Sequence, residues 1–271
     1  MRKPFFSVAR ALILAAFFLS AFRNRVLAQT PTPAQTSSSL PDAPLPASQS
    51  QDDQTVTLRQ TPRNWIDDQK AIWTSPIHLT ESNALGPVLL VLATTAAVTT
   101  DHQAMASSRL QDTSLNNHAQ TASTGLTGGF IAAPVILYGL GAIHHDNHAT
   151  ETGILSGEAI LDSLAVSEVI KLISERERPT LDNAKGRFFQ SGSWSDSSFP
   201  SNHSIIAWSS AAVIASEYKG PLTQITAYGL AAGVSATRVL ARQHFPSDVL
   251  VGSAVGWMIG RYVARRHRHS Y

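Results

Sequence analysis

The 271-residue chain contains no cysteine, which excludes disulfide bonds, thiolate metal sites and a cysteine nucleophile. Its formal net charge is only +2, so no general polyanion-binding surface is implied, and we expect no nucleic-acid partner. The sequence also lacks a convincing alternating strand pattern and an internal repeat of fixed period. These absences leave one core-forming domain with accessory sequence, because a domain usually holds about 100–200 residues.

The N-terminus has the pattern of an export signal followed by a tether. Basic residues precede an apolar run over 11–22, and Val26-Leu27-Ala28 has the character of a cleavage region, so residues 1–28 are predicted to be a signal peptide. Residues 29–62 are rich in Pro, Ser, Thr and Gln, which predicts a disordered linker. We expect an exported protein of the bacterial periplasm, soluble or membrane-associated, with an integral membrane protein as the alternative.

Six apolar, Ala-rich segments follow, and their periodicity predicts six α-helices. They cover about 84–100, 124–143, 153–175, 203–217, 222–237 and 248–264, and the first is short for a membrane span. Ahead of them, apolar residues from Trp65 to Trp73 recur near helical spacing, which predicts packing on the core rather than on a membrane surface. The folded domain is predicted to cover 63–267, with its core over 84–264 and a basic tail at 268–271.

Two short stretches in the second half carry cations and a histidine at predicted helix ends. In KLISERERP, Lys171 and Arg178 lie nearly two helical turns apart, so both are predicted to project from one face as the third helix ends. In SFPSNHS, Ser201 is the predicted N-cap of the fourth helix, and Asn202 and His203 occupy its first turn. Backbone N–H groups and the helix dipole favour an anion at that position.

A third stretch, TRVLARQHFPSD, adds a cation, a histidine and a carboxylate. Arg238 precedes a loop that holds His244, and Ser247 is the predicted cap of a last helix that begins near Asp248. Asp248 is expected to bond one His244 nitrogen and leave the other exposed, which is the arrangement that activates an imidazole. Each stretch alone fits an ordinary helix end. Together, three cations flanked by two histidines meet the needs of phosphoryl transfer without a metal.

The order and spacing of the three stretches closely resemble the signature motifs of the phosphatidic acid phosphatase type 2 and vanadium haloperoxidase superfamily, written KxxxxxxRP, PSGH and SRxxxxxHxxxD. The resemblance covers about residues 84–264. Asn202 stands where glycine is usual, and Thr237 stands where serine is usual. Asn202 keeps the backbone N–H and adds a side-chain donor, and Thr237 keeps a hydroxyl group, so no essential group is removed.

The resemblance implies an all-α, six-helix bundle of the phosphatidic acid phosphatase type 2 and haloperoxidase type. It implies that His244 forms a phosphohistidine, that Asp248 fixes its tautomer, and that His203 protonates the leaving alcohol. The phosphate-binding residues implied are Lys171, Arg178, Ser201, Asn202 and Arg238. No metal site and no cofactor are expected, and the group His144, His145 and His148 is predicted to be a solvated turn.

The predicted function is a metal-independent phosphatase that acts on a phosphate monoester or diphosphate. The candidate substrates are a lipid phosphate, an isoprenoid diphosphate and a small phosphoester, and contact with a membrane is an open possibility. One alternative is a haloperoxidase, which would hold vanadate where the phosphate sits. A second alternative is a nonenzymatic exported binding or scaffold protein that retains the fold.

Overall fold

The computed structural model describes residues 56–75 and 85–267. These ranges contain seven α-helices. In chain order they are α1 (Thr61–Thr74), α2 (Leu85–Met105), α3 (Thr113–His144), α4 (Asn147–Ser174), α5 (Asn202–Glu217), α6 (Pro221–Leu240) and α7 (Pro246–Arg266). The all-α class and the six predicted helices are confirmed as α2 to α7. The predicted signal peptide, residues 29–55 of the predicted linker and the tail 268–271 lie outside the described residues.

The first helices are longer than the sequence pattern indicates. α1 begins at Thr61, and Val56 is buried, so ordered structure starts ahead of residue 63. α3 begins at Thr113 rather than 124, because the Asp112 carboxylate caps it by accepting from the backbone N–H of Ser114 at 2.8 Å and of Leu115 at 3.3 Å. Its polar first turns face solvent, and they therefore lack the apolar periodicity on which the prediction rested.

Two helix ends near the three motif stretches differ from prediction. α4 ends at Ser174, where Glu175 adopts a left-handed conformation with φ of 39°, so Arg178 lies in the following loop and not on the helix. α7 begins at Pro246 with Phe245 as its N-cap residue, in place of Ser247. The Asp248 carboxylate reaches back to accept from the Phe245 backbone N–H at 2.8 Å, which satisfies that helix start.

α5 lies at the centre of the bundle and packs against α4, α6 and α7. Its approach to α7 is close because glycine recurs every fourth residue along α7. A Cβ atom at Gly252 would lie 2.7 Å from the Ser201 carbonyl oxygen, and one at Gly256 would lie 2.5 Å from the Ile205 carbonyl oxygen. The Ser201 N–H also donates to the Asp248 carbonyl at 3.2 Å. The start of α5 is thereby held against the start of α7.

α2 and α3 differ from the other helices in how much apolar surface they leave uncovered. By length and composition both could cross a membrane, yet only 17% and 22% of their most apolar windows are buried in the protein. α2 has 21 residues, so the expectation that the first predicted segment is short for a span is wrong. Exposed side chains on α3 include Ile131, Val135, Ile136, Leu140 and Ile143.

Candidate active site

His244 is buried on the loop between α6 and α7, with 3% of its surface exposed. Its Nδ1 lies 2.7 Å from the Ser198 carbonyl oxygen, which can only accept, so Nδ1 carries the proton and Nε2 keeps its lone pair. Asp248 Oδ2 lies 3.7 Å from the same nitrogen, beyond hydrogen-bond distance. The tautomer is therefore set by Ser198 rather than by a direct bond to Asp248, which corrects the expectation from sequence. Asp248 remains close enough to stabilise an imidazolium.

Asp248 belongs to a buried network that the sequence reasoning missed. Arg176, only 1% exposed, donates to Asp248 Oδ1 at 2.6 Å and to Asp101 Oδ2 at 2.7 Å. Ser247, which does not cap α7, receives a hydrogen bond from Arg176 and donates to Asp101 through its hydroxyl and its N–H. The guanidinium also lies between the rings of Phe188 and Phe245, at 4.7 and 4.2 Å from their centroids. This network joins α2, α7 and the loop after α4 directly behind His244.

Ser201 to His203 occupy the start of α5, as predicted. Ser201 is the N-cap and its hydroxyl accepts from Ser204 N–H at 3.4 Å. The Asn202 side chain turns to α4, where its Nδ2 donates to Glu168 at 2.8 Å and its Oδ1 accepts from Ser167 at 2.5 Å. The Asn202 amide, which was expected to add a donor to the site, is therefore hydrogen-bonded to α4 instead. Asn202 can serve a phosphate through its backbone N–H.

The three predicted phosphate-binding cations are anchored from three different elements. Lys171 is buried and its Nζ donates to the Ser197 carbonyl at 2.7 Å, while the half-buried Arg178 donates to the Gln243 carbonyl at 3.3 Å. Arg238, on α6, donates through Nη1 to Gln120 on α3 at 2.9 Å. Among the described residues, its buried Nε has no hydrogen-bond partner. Arg238 therefore retains donor capacity for an anion.

The electrostatics place these groups in one site. Burial is the main cause that lowers the pKa of His203 to about 3, and the charges of Arg238, His244, Arg178 and Lys171 contribute to the same fall. The fall in the pKa of the other histidine, His244, to about 4 is mainly due to burial, with Asp248 opposing it. Burial raises the pKa of Asp248, but the charges of Arg176 and His244 and the hydrogen bond from the Phe245 N–H together outweigh burial and hold this pKa below its usual value. Both histidines are consequently neutral at pH 7 and Asp248 is ionised.

The residues that were predicted from sequence and those that were missed differ in how clearly the sequence marks them. The structure brings both histidines, Asp248 and the three cations into this one site, although Arg178 comes from a loop. Glu177 is buried and accepts from the exposed Arg187 at 3.1 Å. The sequence marks Arg176 as an additional arginine within KLISERERP. The sequence marks Asp101 more weakly, as a carboxylate that follows an apolar segment.

The described histidine and carboxylate side chains do not cluster as metal ligands. Within the described ranges, no group of three or more His, Asp or Glu side chains could hold a metal ion. His144 and His145 are exposed at the end of α3, and His148 packs against Tyr218 with ring centroids 4.6 Å apart and ring planes tilted by 55°.

Arg176→Met should lower the free energy of unfolding by about 3–5 kcal/mol, because it leaves the buried carboxylates of Asp101 and Asp248 without their cation. Chemical denaturation of the purified variant measures this loss. Arg187→Met is the matched control, since Arg187 also pairs with two carboxylates, Glu177 and Asp182, but is exposed. That variant should lose much less stability than Arg176→Met, because the Arg187 side chain is exposed and Glu177 keeps the Arg187 backbone N–H as a donor. Equal destabilisation by both changes would contradict the structural role assigned to Arg176.

The pH dependence of kcat/KM should follow the protonation state of Lys171. Burial and, after it, the neighbouring charge of Arg178 lower the pKa of Lys171 to about 8, against the opposing charges of Glu168 and Asp248. Below that pH the lysine is cationic and can hold phosphate, so kcat/KM should fall as pH rises through about 8. In Lys171→Arg the charge persists at higher pH, and the fall should move upward. An alkaline limb that is identical in both proteins would refute this assignment.

Residues 153–270, which contain all three stretches, match the model of the PAP2 superfamily. A structural comparison finds a transmembrane PAP2-type phosphatidylglycerolphosphate phosphatase from Bacillus subtilis, at 20% sequence identity and a TM-score of 0.43, covering 78% of this chain and 98% of that one. The comparison with curated proteins gives no match.

Proposed function

We propose that this protein is a phosphatase that hydrolyses a phosphate ester through a phosphohistidine on His244. The observation that carries the proposal is the His244 geometry. Ser198 holds the proton on Nδ1, so Nε2 keeps its lone pair, and the charges of Arg238 and Lys171 act on the same imidazole. A neutral imidazole among cations suits attack on a phosphorus atom whose oxygens those cations neutralise.

In the first step, His244 Nε2 forms a bond to phosphorus as the bond from phosphorus to the leaving oxygen breaks. His203 donates its proton to that oxygen, which leaves as an alcohol. Lys171, Arg178, Arg238 and the backbone N–H groups at the start of α5 hold the three remaining oxygens. The positive charge that develops on His244 is stabilised by the carboxylate of Asp248, 3.7 Å from Nδ1.

In the second step, His203 accepts a proton from water as the water oxygen bonds to phosphorus and the phosphorus–nitrogen bond breaks. Inorganic phosphate leaves, and both histidines return to their starting states. The low pKa of His203 belongs to the site without phosphate, because it arises from burial and nearby cations. A bound phosphate neutralises those cations and raises the pKa of His203, which makes it a proton donor in the complex.

Purified protein should release inorganic phosphate from p-nitrophenyl phosphate in the presence of EDTA, because the proposed chemistry uses only side chains. Phosphate release is measured directly, with vanadate as a competitive ligand for the same cations. Activity that disappears in EDTA and returns with a divalent cation would contradict the proposal. Bromination of a dye with vanadate and peroxide, without phosphate release, would favour the haloperoxidase alternative.

We further propose that the protein is exported and attached to a membrane through α2 and α3. The support is the apolar surface that these helices leave exposed, together with the signal-peptide pattern at residues 1–28. Carbonate extraction of isolated membranes tests the attachment. The protein should stay with the pellet if α2 and α3 lie in the hydrocarbon layer, and its release into the supernatant would contradict their insertion.

A further inference from the structure

Glu168 is a half-buried carboxylate on α4, three residues before Lys171. Its Oε1 accepts from Asn202 Nδ2 at 2.8 Å. Within the described part of the chain, this is the one hydrogen bond that the Glu168 side chain makes, and no cationic side chain forms an ion pair with it. The second oxygen, Oε2, therefore keeps its lone pairs for a ligand. The proposed mechanism assigns no role to this carboxylate.

Asn202 fixes the position of the Glu168 carboxylate. Its Oδ1 accepts from Ser167 at 2.5 Å while its Nδ2 donates to Glu168, so two consecutive residues of α4 hold the amide group. Glycine, which is usual at this position in the motif PSGH that the stretch resembles, has no side chain that could make these bonds. The departure at residue 202 therefore has a structural consequence in this chain, because it places a carboxylate beside the start of α5.

The start of α5 is where the proposed mechanism places the leaving alcohol. His203 protonates the leaving oxygen, and the nucleophile His244 attacks phosphorus from the opposite side. Asn202 and His203 are consecutive, so their Cα atoms lie ~3.8 Å apart. Burial is the main cause that lowers the pKa of Lys171, and the charge of Glu168 opposes this fall, so the carboxylate acts electrostatically on the phosphate-binding site. Glu168 thus borders the space into which the alcohol leaves.

The chemistry of a carboxylate at this position favours a cationic partner on the alcohol. The phosphate oxygens are held by cations and backbone N–H groups, and a second anion beside them repels phosphate. A carboxylate next to the leaving oxygen instead accepts from a donor, and its strongest hydrogen bonds are those to an ammonium or guanidinium group. Leu164 and Leu172 lie one helical turn before and after Glu168, so the carboxylate is a polar group within an apolar strip of α4.

We propose that Glu168 binds an ammonium group on the substrate alcohol and thereby selects phosphate esters of amino alcohols. The inference rests on the proposed phosphatase function and names a substrate class for the same site. The ammonium group donates to Oε2 of Glu168, on the side of phosphorus from which the alcohol leaves. Asn202 is the positioning residue, because its amide holds Oε1 and leaves Oε2 for the substrate.

The test compares Glu168→Gln with Asp196→Asn. Glutamine keeps the size of the side chain and the acceptor for Asn202, but it removes the charge. Asp196 is exposed in the loop before α5, next to Ser197, whose carbonyl accepts from Lys171, so its replacement removes one negative charge at the same end of the molecule. Thermal unfolding checks that each variant is folded.

The substrates differ in one group at a constant chain length. They are 2-aminoethyl phosphate, 2-hydroxyethyl phosphate and propyl phosphate, in which a methyl group stands where the first has its ammonium group. All are compared at neutral pH, with p-nitrophenyl phosphate as the reference for catalysis. The quantity measured is the ratio of kcat/KM for 2-aminoethyl phosphate to that for propyl phosphate, because a general change in phosphate binding cancels in this ratio.

In the parent protein this ratio should be roughly ten, because one charge-assisted hydrogen bond is gained, and 2-hydroxyethyl phosphate should lie between the other two. Glu168→Gln should bring the ratio close to one, and Asp196→Asn should leave it as in the parent. A ratio near one in the parent would overturn the assignment. So would a ratio that survives in Glu168→Gln, or one that both variants reduce equally, which would indicate the general field of the protein.

The pH profile separates this role from a merely electrostatic effect on Lys171. Loss of the Glu168 charge removes an opposing effect on the pKa of Lys171, so the alkaline limb of kcat/KM moves to lower pH. If Glu168→Gln moves this limb for every substrate without changing the ratio, Glu168 serves only to keep Lys171 protonated, and the ammonium site is overturned.

Failure of the ammonium site and failure of the phosphatase function give different results. If the parent protein turns over p-nitrophenyl phosphate but does not distinguish 2-aminoethyl from propyl phosphate, the phosphatase proposal stands and the role of Glu168 falls. If it releases phosphate from none of the four substrates, the phosphatase proposal falls and the role of Glu168 falls with it.

Discussion

His244→Ala should lower kcat for p-nitrophenyl phosphate roughly 10³-fold or more, because it removes the atom that bonds to phosphorus. No other imidazole in the site can replace it, since His203 is assigned to the leaving oxygen. The loss should be as large with good leaving groups as with poor ones, because attack on phosphorus is required for both. Phosphate release under saturating substrate measures the effect.

The matched control for this loss is His118→Ala. His118 is exposed on α3, and its Nδ1 lies 2.8 Å from the Ser114 carbonyl within the same helix. Removing it should leave turnover unchanged. A His244→Ala enzyme that retains activity within tenfold of the parent, while remaining folded, would be incompatible with a nucleophilic role and would return the site to a binding or scaffold function.

His203→Ala should lower kcat about 10²–10⁴-fold for an alkyl phosphate, because an alkoxide leaves poorly without a proton. For p-nitrophenyl phosphate the loss should be much smaller, since nitrophenolate needs little protonation. The measurement is the ratio of the two rate losses. Equal losses with both substrates would refute the acid role and indicate that His203 only helps to bind phosphate.

The variant Asn202→Ala is the control that distinguishes loss of the His203 proton from a disturbance of the start of α5. Asn202 precedes His203 in α5, but its amide group is bonded to Ser167 and Glu168 on α4. Its removal should affect both substrates to a similar extent. A leaving-group dependence in Asn202→Ala as strong as in His203→Ala would mean that the dependence reports the position of α5 rather than a proton on His203.

The chemically distinctive residues of the site could be predicted from sequence, because they lie at helix ends or in the short loops beside them, where local signals are strong. Ser201 shows this clearly, since a capping serine followed by His203 fixes where α5 begins. Asp248 was found for the same reason, as a carboxylate in the first turn of α7. The six long helices were equally accessible, because apolar periodicity persists over their length.

The residues that sequence reasoning missed act over long separations. Arg176 joins Asp101 and Asp248, which lie 75 and 72 positions away along the chain, so no local pattern marks the contact. The bond from His244 to Ser198 is similarly remote and uses a backbone carbonyl, which has no residue-type signal at all. Arg178 was placed on a helix because the left-handed turn at Glu175 is made by a non-glycine residue.

The functional consequence of these long-range contacts is a rigid setting for His244. Arg176 donates to Asp248, Ser198 accepts from the imidazole, and close packing of α5 on α7 at Gly252 fixes the position of the turn from Ser201 to His203. A site built on helix ends that are fixed in this way meets the geometric demand of in-line phosphoryl transfer.

The most direct test of the account is the chemical identity of the phosphoenzyme. The parent protein, mixed with radiolabelled substrate and quenched during turnover, should carry label that is stable in alkali, labile in acid and located by peptide mapping on His244. No label should form in His244→Ala. Label on a serine or threonine, or label that survives acid, would contradict the central claim that the reaction passes through a phosphohistidine at this residue.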